Sequence, residues 1–559
     1  MKIKDIQRQT DIDALIICRN NQFLGQDILP SENKIAELTG FDGSAGKLVI
    51  TKENAFLFVD GRYEIQSKLQ TKAEEVTVIV ENQNYNFRNW IKENLKKSRI
   101  GYNPWQVSIS TFKDWKKLLP DASLIAFPEI IKTPRATAFE HKIEFAGISS
   151  EEKITKCITQ SSADAIFIGA ADNVSWLTNL RSNALPETPI IRAFALLSAE
   201  GEVVLFADNL ILPTNCSIKK YPLSKLEQIF KTLSGKKINA DFKYTPNIIF
   251  DICKKYQINI INTPDVCTFE KAQKNPVEIQ GIINAHVRDG VALCKFLHWL
   301  DKNKKDLTEI DVVKKLYSFR KKQKLFHSVS FATIAGAGSN SAIIHYHPTK
   351  DNHSKIINNS VLLLDSGGQY FDGTTDVTRT IAVGTPTSDM KQKFTMVLKA
   401  HIALSSQKFP QNTSGIRLDA ICRSILWNCG LDYNHGTGHG VGCFLNVHEG
   451  PQSMSVSSSS YPLKPNMVLS IEPGYYKENE FGIRIENLVY VTEDENNNGF
   501  LKFKPLTLAP IDFRLIDEYL LDSGEKEWIN RYHNTVYSII SPLLNKAEQK
   551  WLEKACSPL

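Results

Sequence analysis

The segment from Val361 to Thr380, VLLLDSGGQYFDGTTDVTRT, places two aspartates at matching positions of a predicted β-hairpin. An apolar run ends at Asp365, a Gly-rich reversal follows, and a β-branched run contains Asp376 at its start. A turn centred on the Tyr370–Phe371 bond would set the two aspartates directly opposite each other, with their Cβ atoms roughly 5 Å apart. Two carboxylates at this distance repel each other and need a proton, an arginine or a metal ion between them. We therefore expect a cation at this hairpin.

A second pair of acidic residues follows the same pattern further along the chain. In MVLSIEPGYYKENEFGIRIENLVYV an apolar run ends in Glu472, a loop containing Pro473 and Gly474 turns the chain, and a second strand contains Glu486. These two glutamates are expected to pair across strands as the aspartates do.

Between the two hairpins lies HGTGHGVGCFLNVHEG, in which His435, His439 and His448 sit on a segment rich in glycine. Glycine lets backbone and imidazoles approach a ligand closely. Four carboxylates and one imidazole would form an oxygen-rich site for two divalent ions, which suits Mn²⁺ better than a thiolate zinc site does. Two such ions about 3.5 to 4 Å apart bridge and acidify one water.

The ordered residues Asp365, Asp376, His439, Glu472 and Glu486 resemble the metal ligands of the pita-bread metallopeptidases of family M24, which include aminopeptidase P, prolidase and methionine aminopeptidase. The strings DSGGQY, DGTTDVTRT, HGTGHGVG, FLNVHEGP and EPGYY are most similar to the long, three-domain cytosolic Xaa-Pro aminopeptidases. GFDGSAG and DGRY near the start and PLTLAPID near the end extend the resemblance over nearly the whole chain.

This resemblance implies a metal site and a reaction. It assigns Asp365, Asp376 and Glu486 to one ion, and Asp376, Glu486, His439 and Glu472 to the other. It implies two divalent ions, with Mn²⁺ expected and Co²⁺ or Zn²⁺ as alternatives. The expected reaction is attack of a water bridging the two ions on the first peptide bond of Xaa-Pro peptides, with Glu472 transferring the proton.

The resemblance also implies residues that contact the substrate. The expected catalytic set consists of Glu472 and three histidines: His345, His435 and His448. The histidines would hold the carbonyl and the prolyl side of the substrate. His448 would help to stabilise the oxyanion. Arg484 would orient a ligand carboxylate, and it also belongs to the expected substrate-binding set. Arg62 in DGRY would reach the substrate, although an ion pair with the neighbouring Asp60 explains it equally well.

The length and the element pattern predict three domains. A chain of 559 residues is too long for one hydrophobic core. Strands alternate with helices in the N-terminal part, and a similar order returns later, which indicates two tandem α/β creatinase-like domains over 1–145 and 146–272. An α+β pita-bread catalytic domain is expected over 273–559, with a C-terminal extension at about 503–559. Its first helix has a start signal in Asn275, Pro276 and Glu278.

Composition excludes several other classes of protein. The net charge of +6 is small for this length and does not predict a nucleic-acid partner. Ten cysteines without a C-x2-C pair indicate reduced thiols in a cytosol. No signal-peptide core and no run of 18 apolar residues is found, so we expect a soluble cytoplasmic protein without a membrane partner. The resemblance adds a homodimer to these expectations.

Competing motifs are incomplete. GSAGK at Gly43 to Lys47 lacks the first glycine and the hydroxyl residue of a phosphate loop, and no H-E-x-x-H or G-x-S-x-G string occurs. Two alternatives to the aminopeptidase remain open: a prolidase, which cleaves only dipeptides, and a metal-free peptide-binding pseudoenzyme of the same fold.

Overall fold

The computed structural model describes residues 2–8, 11–72, 74–303, 306–456 and 460–559. The chain divides into two compact units. Unit 1 comprises Met1–Lys142, Ile148–Leu185 and Pro189–Thr268, and unit 2 comprises Ile143–Gly147, Pro186–Thr188 and Phe269–Leu559. Among the described residues, no helix is both long enough and apolar enough to cross a membrane.

The first half of unit 1 is a six-stranded sheet with helices on both faces. Its strands are β1 (Ala14–Cys18), β2 (Lys47–Thr51), β3 (Ala55–Val59), β4 (Thr77–Val80), β5 (Arg99–Tyr102) and β6 (Ser123–Ala126). Its helices are α1 (Ile3–Gln7), α2 (Lys34–Thr39), α3 (Glu64–Gln70), α4 (Phe87–Asn94) and α5 (Ile109–Leu118). The strand order is β4-β3-β2-β1-β5-β6, and apolar clusters cover both faces of the sheet.

The second half of unit 1 repeats this sheet. The strands that follow are β7 (Ala136–Glu140), β8 (Ala165–Ile168), β9 (Leu180–Ser182), β10 (Phe194–Ser198), β11 (Val203–Phe206), β12 (Leu210–Ile211), β13 (Lys219–Tyr221), β14 (Lys237–Ala240) and β15 (Asn259–Asn262). The helices are α6 (Ile143–Ala146), which belongs to unit 2, then α7 (Ser150–Thr159), α8 (Ala171–Thr178), α9 (Leu226–Lys231), α10 (Asn247–Lys255) and α11 (Val266–Ala272). Strands β7, β9 and β12 form a small separate sheet.

The two large sheets of unit 1 share one topology. The second has the order β13-β11-β10-β8-β14-β15. In each sheet the three middle strands are antiparallel and every outer strand joins in parallel. The predicted duplication of an α/β domain is therefore confirmed.

Unit 2 is an α+β domain. Its helices are α12 (Pro276–Lys302), α13 (Glu309–Arg320), α14 (Ser388–Ser405), α15 (Gly415–Trp427), α16 (Ser523–Ile540) and α17 (Lys546–Ala555). Its strands are β16 (Phe326–Val329), β17 (Ile334–Ala337), β18 (Ser360–Ser366), β19 (Gly368–Tyr370), β20 (Gly373–Thr374), β21 (Val377–Val383), β22 (Lys408–Pro410), β23 (Gly438–Gly440), β24 (Glu449–Met454), β25 (Val468–Ile471), β26 (Gly474–Lys477), β27 (Phe481–Arg484), β28 (Asn487–Glu493) and β29 (Phe500–Pro505).

The predicted start of α12 is confirmed. The Asn275 side chain accepts hydrogen bonds from the backbone N–H groups of Val277 and Glu278, and the Glu278 carboxylate accepts one from the Asn275 N–H. This reciprocal cap satisfies N–H groups that a helix end otherwise leaves unpaired. It fixes the start of the longest helix in the described chain, against which β20 packs.

Two sheets of unit 2 present their strand ends to one region. The first has the order β17-β18-β21, and the second has the order β22-β29-β28-β25-β23-β24. The main apolar cluster fills the space between the second sheet and helices α14, α15 and α16. The ends of β18, β21, β25 and β28 are thereby held by buried strands on a packed core.

Candidate active site and metal centre

The aspartate hairpin forms, but with a different register from the predicted one. Asp365 lies opposite Thr378, and Tyr370 lies opposite Gly373, so that Phe371 and Asp372 form the turn. The prediction that Asp365 faces Asp376 directly is therefore wrong by two residues. Because side chains alternate with a period of two, a shift of two keeps both aspartates on the same face of the ribbon.

The glutamate pair follows the predicted geometry. Strands β25 and β28 pair with Ile471 opposite Asn487, and the next position in this register sets Glu472 opposite Glu486. The chain between them forms the smaller β26–β27 hairpin, which begins with Gly474 opposite Arg484. Backbone N–H groups hold both glutamates at the strand ends: that of Glu472 donates to Thr437 O at 2.8 Å, and that of Glu486 to Thr378 O at 3.1 Å.

The two ribbons and the histidine segment converge on one centre. One ligand atom from each of Asp376, His439 and Glu486 lies within 4.8 Å of the others. His439 Nε2 lies 3.6 Å from an Asp376 oxygen and 3.3 Å from a Glu472 oxygen. Asp365 is close enough for its charge to act on both Asp376 and Glu486. The structure thus brings all five sequence-predicted ligands together.

The donor set fits divalent cations. Within the described residues, three buried carboxylate oxygens of this centre have no hydrogen-bond partner: Asp365 Oδ1, Asp376 Oδ1 and Glu486 Oε1. A buried acceptor without a partner is costly, and three of them aimed into one acidic cluster are costlier still. Hard divalent cations such as Mn²⁺ prefer an oxygen-rich set with one imidazole. The residues therefore fit metal ions that would satisfy these oxygens.

Burial and neighbouring negative charges raise the pKa of several carboxyl groups of the centre. Burial, and next the charge of Glu486, raise the pKa of Asp376 well above its usual value. Burial, and next the charges of Glu472 and Asp365, do the same to the pKa of Glu486. Burial also raises the pKa of Glu472, although His439 and Arg484 oppose the rise. A bound cation would oppose these rises, because it favours the ionised form of each carboxyl.

Arg484 connects the two ribbons. Its Nη2 donates to Asp365 Oδ2 at 2.7 Å, and its Nη1 donates to the Tyr476 hydroxyl at 2.7 Å. Burial alone would lower the pKa of Arg484, but Tyr476 and Asp365 raise it above its usual range. Thr378 donates from Oγ1 to Glu486 Oε2 at 2.8 Å. Arg484 and Thr378 each hold one oxygen of a predicted ligand, which leaves the other oxygen of each carboxylate open.

The three predicted substrate histidines occupy different parts of this unit. His435 Nε2 is hydrogen-bonded with the Tyr476 hydroxyl at 2.8 Å, which links it to Arg484. The His448 ring lies edge-on to the His439 ring, with centroids 4.3 Å apart. His345 is half-buried and follows Ile344, whose carbonyl accepts from Arg484 Nη2 at 3.3 Å. His448 therefore contacts a predicted ligand directly, whereas the segments of His435 and His345 connect to the centre through Arg484.

Arg62 belongs to unit 1. Its guanidinium donates to both oxygens of Asp60, each at 2.8 Å, as the simpler interpretation of DGRY requires. A role for Arg62 toward substrate stays a prediction.

Sequence reasoning missed two buried charge networks around these segments. The buried Glu309 carboxylate accepts from Ala337 N, Tyr346 OH and Ser354 N at 2.6 to 2.8 Å, and so organises the loop that contains His345. The buried Lys274 is ion-paired with Glu449, the residue after His448. No local pattern signals such partners, because their separation along the chain is long.

Comparison with known proteins agrees with this architecture. The family profile described as "Metallopeptidase family M24" matches residues 280–493, and that for the "C-terminal region of peptidase_M24" matches 499–559. Two profiles described as "Creatinase/Prolidase N-terminal domain" match 1–137 and 132–278. Aminopeptidase P1 of Arabidopsis thaliana is 32% identical over 98% of this chain and 97% of its own length. The chain belongs to metallopeptidase family M24.

Two solved structures differ in how much of this chain they cover. The X-prolyl aminopeptidase of Caenorhabditis elegans, described as a cytosolic enzyme with a di-nuclear active site, superposes with a TM-score of 0.93 at 29% identity and covers 100% of this chain. The prolidase of Pyrococcus horikoshii OT3 covers only 65% of this chain, with a TM-score of 0.50 at 25% identity. This M24 chain has the long form, with two creatinase-type N-terminal domains and a pita-bread catalytic domain.

Proposed function

We propose that this M24 chain removes the N-terminal residue from peptides that have proline at the second position. The observation that carries the proposal is the convergence of Asp365, Asp376, His439, Glu472 and Glu486 on one buried centre with unsatisfied oxygens. Relatives named Xaa-Pro aminopeptidase or aminopeptidase P, matched over nearly the full chain, support the same reaction. The chain is accordingly a metal-dependent aminopeptidase.

The five residues of the centre would hold two divalent metal ions, and we propose that these are Mn²⁺. The assignment follows from the four carboxylates and single imidazole of the site, a set in which thiolate is absent. Asp376 and Glu486 are the proposed shared ligands, since both lie within 4.8 Å of His439. When bound, the ions supply an acidified water as the nucleophile and polarise the substrate carbonyl.

Glu472 is the proposed proton carrier. Its carboxyl is half-buried, accepts a hydrogen bond from Ser470 Oγ at 3.0 Å, and lies 3.3 Å from His439 Nε2. Burial raises its pKa, which moves it toward neutral pH, where a general base gives up and takes back a proton most readily. His448, beside His439, is the proposed donor to the oxyanion.

Cleavage before proline places a chemical requirement on the site. An Xaa-Pro bond is a tertiary amide without an N–H group, so a site that cleaves it must do without that donor. We assign His345 and His435 to the prolyl side and the carbonyl of the substrate. The hydrogen bond of His435 with Tyr476 fixes the imidazole for this task. The free α-amine of the substrate would lie beside Asp365, which restricts cleavage to the first bond.

The remaining proposals concern the whole chain. We place the domain bounds at 1–145, 146–272 and 273–559, with the C-terminal extension from about 503. We further propose a cytoplasmic homodimer. The cytosolic description of the Caenorhabditis elegans enzyme supports the compartment.

Substrate length tests the proposal against both alternatives. An Arg-Pro-Pro-type peptide and an Xaa-Pro dipeptide are compared on metal-loaded protein. We expect release of the first residue from the longer peptide. Cleavage of dipeptides alone would identify a prolidase, and binding of the peptide without cleavage by a chain that takes up no metal would identify a pseudoenzyme.

A further inference from the structure

A cavity of about 180 Å³ lies in unit 2, on the far side of β21 from the metal centre. Thr378 and Thr380 project from one face of β21 and contact Glu486 and Arg484. Arg379 lies between these threonines and Ile381 follows them; both project from the opposite face and line the cavity. The cavity is therefore separated from the proposed catalytic residues by a single strand.

The cavity has an apolar interior. Leu297 and Leu300 of α12, Ile381 of β21, and Trp551 and Ala555 of α17 line it. The cavity opens to solvent beside the exposed Asp301 and Lys554, so a ligand can enter it from outside. A cavity of about 150 Å³ accommodates benzene. This one therefore has room for a six-membered ring with a short polar tail.

The charges along the cavity favour an anion. Arg514 is ion-paired with Asp512 at 2.6 Å and with Asp301 at 3.5 Å, so the two acids share one guanidinium. Lys554, on the last turn of α17, is exposed, and within the described ranges no acidic group lies within ion-pair distance of its ammonium. The three basic residues along the wall, Arg379 among them, exceed the two acidic ones by a single positive charge.

In the part of the chain that the structure describes, no acidic side chain neutralises the charge of Arg379. Its guanidinium donates to Glu486 O at 2.7 Å, to Pro510 O at 3.1 Å and to the Tyr532 hydroxyl at 2.8 Å, all of them uncharged acceptors. An anion in the cavity would thus meet net positive charge from both Arg379 and Lys554. It would also contact a residue that holds the backbone of Glu486 in place.

We propose that this cavity is a second binding site, separate from the catalytic centre, for a small apolar monocarboxylate. The ring or short aliphatic body of the ligand occupies the space between α12 and α17, and its carboxylate pairs with Lys554. A neutral analogue has no carboxylate to pair with the Lys554 ammonium. A dianion carries more negative charge than the single net positive charge of the cavity wall can neutralise.

The test adds 3-phenylpropionate to the metal-loaded full chain. Titration calorimetry measures its binding, and the thermal midpoint of unfolding measures the stability that binding adds. We expect one probe per chain at this site and a rise of the midpoint. The amide 3-phenylpropionamide should bind at least about tenfold more weakly, because its head group is uncharged. Equal binding of the acid and the amide would overturn the proposal.

Variants locate the binding. Lys554→Glu should weaken the probe at least about tenfold, whereas Lys550→Glu, an exposed lysine of the same helix, should leave its affinity unchanged. Ala555→Trp should fill the cavity and abolish binding while peptide turnover persists. Equal weakening in the two lysine variants would overturn the proposal, and so would full binding to Ala555→Trp.

Kinetics separate this site from the catalytic centre, to which carboxylates also bind. Saturating 3-phenylpropionate should leave the KM for an Xaa-Pro-Xaa peptide unchanged. A competitive pattern that persists in Lys554→Glu would place the probe at the metal ions and overturn the proposal. Neither result bears on whether the chain cleaves Xaa-Pro bonds.

Discussion

Replacing Glu486 by glutamine should change the stability of the protein in opposite directions with and without metal. The Glu486 side chain is 1% exposed, its Oε2 accepts from Thr378, and its Oε1 has no hydrogen-bond partner among the described residues. Glutamine keeps the size and one acceptor oxygen but removes the negative charge. The fold should therefore persist while the centre loses a ligand.

The distances set the size of the effect in the metal-free protein. Ligand atoms of Glu486 and Asp376 lie within 4.8 Å of each other. At an effective dielectric constant of about 20, two charges at that distance repel by about 3.5 kcal/mol. Proton uptake relieves part of this repulsion, because burial and the neighbouring charges raise the pKa of both groups. We therefore expect Glu486→Gln to stabilise the chelated protein by about 1 to 3 kcal/mol at pH 8.

The sign reverses when metal is present. A ligand at about 100 times its dissociation constant stabilises the native state by about 2.7 kcal/mol per site. Glu486→Gln removes a proposed shared ligand, so it should lose most of this gain, and turnover should fall by about 10³-fold or more.

Urea unfolding with EDTA and with excess Mn²⁺, together with hydrolysis of an Xaa-Pro-Xaa peptide, measures both effects. Glu493→Gln is the matched control, since it removes an exposed carboxylate from β28, the strand that begins directly after Glu486. Wild-type turnover in Glu486→Gln would refute the shared-ligand assignment. A metal-free variant less stable than the wild type would refute the argument from repulsion.

Three further variants test other parts of the account. Arg484→Lys keeps the charge but loses the two-pronged contact with Asp365 and Tyr476, so calorimetry should show metal affinity about 10- to 100-fold weaker. Lys274→Met leaves a buried carboxylate facing only a more distant lysine and should cost about 3 to 5 kcal/mol in urea unfolding. His533→Gln tests pH dependence: burial, and next the charge of Arg379, lower the pKa of His533 from 6.5 to about 4. As the pH falls, the unfolded chain therefore takes up that proton before the folded chain does. The free energy of unfolding present above pH 6.5 should fall by up to about 3 kcal/mol as the pH drops to about 4. His533→Gln should lose less stability over this range.

Each of these three has its own control or contrary outcome. Unchanged metal affinity in Arg484→Lys would show that Asp365 is held by other contacts. Adding Glu449→Gln to Lys274→Met should restore stability, because the unpaired charge is then gone, and failure of this rescue would point to packing instead. Equal acid sensitivity of His533→Gln and the wild type would remove His533 from the pH response.

The hairpins show how far local patterns extend. The period of two predicts which face of a ribbon the acidic residues share. The aspartates do share a face in the structure, although their predicted register is wrong by two residues. The predicted turn is centred on the Tyr370–Phe371 bond, whereas the turn in the structure consists of Phe371 and Asp372, one residue further along the chain. In the structure Gly373 lies beyond the turn, at a position where a Cβ atom would meet Ile282 Cα at 2.9 Å. That glycine is needed for close packing against α12, which no local pattern reveals.

Long-range partners account for the other omissions. The capping of α12 and the repeated α/β sheets follow from neighbouring residues and were predictable. The contact of Arg484 with Tyr476, the donors around Glu309, and the pairing of Lys274 with Glu449 join elements far apart in the chain. Burial makes these contacts obligatory, but burial is known only once the sheets have formed.

Metal titration of the chelated wild-type protein tests the central claim most directly. Mn²⁺ is added back stepwise, and at each step both the turnover of an Xaa-Pro-Xaa peptide and the number of ions bound per chain are measured. The account predicts no turnover in EDTA and full recovery at two ions per chain, with stoichiometry reduced in Glu486→Gln. Full turnover in the chelated protein, or recovery complete with no ion at these five residues, would contradict it.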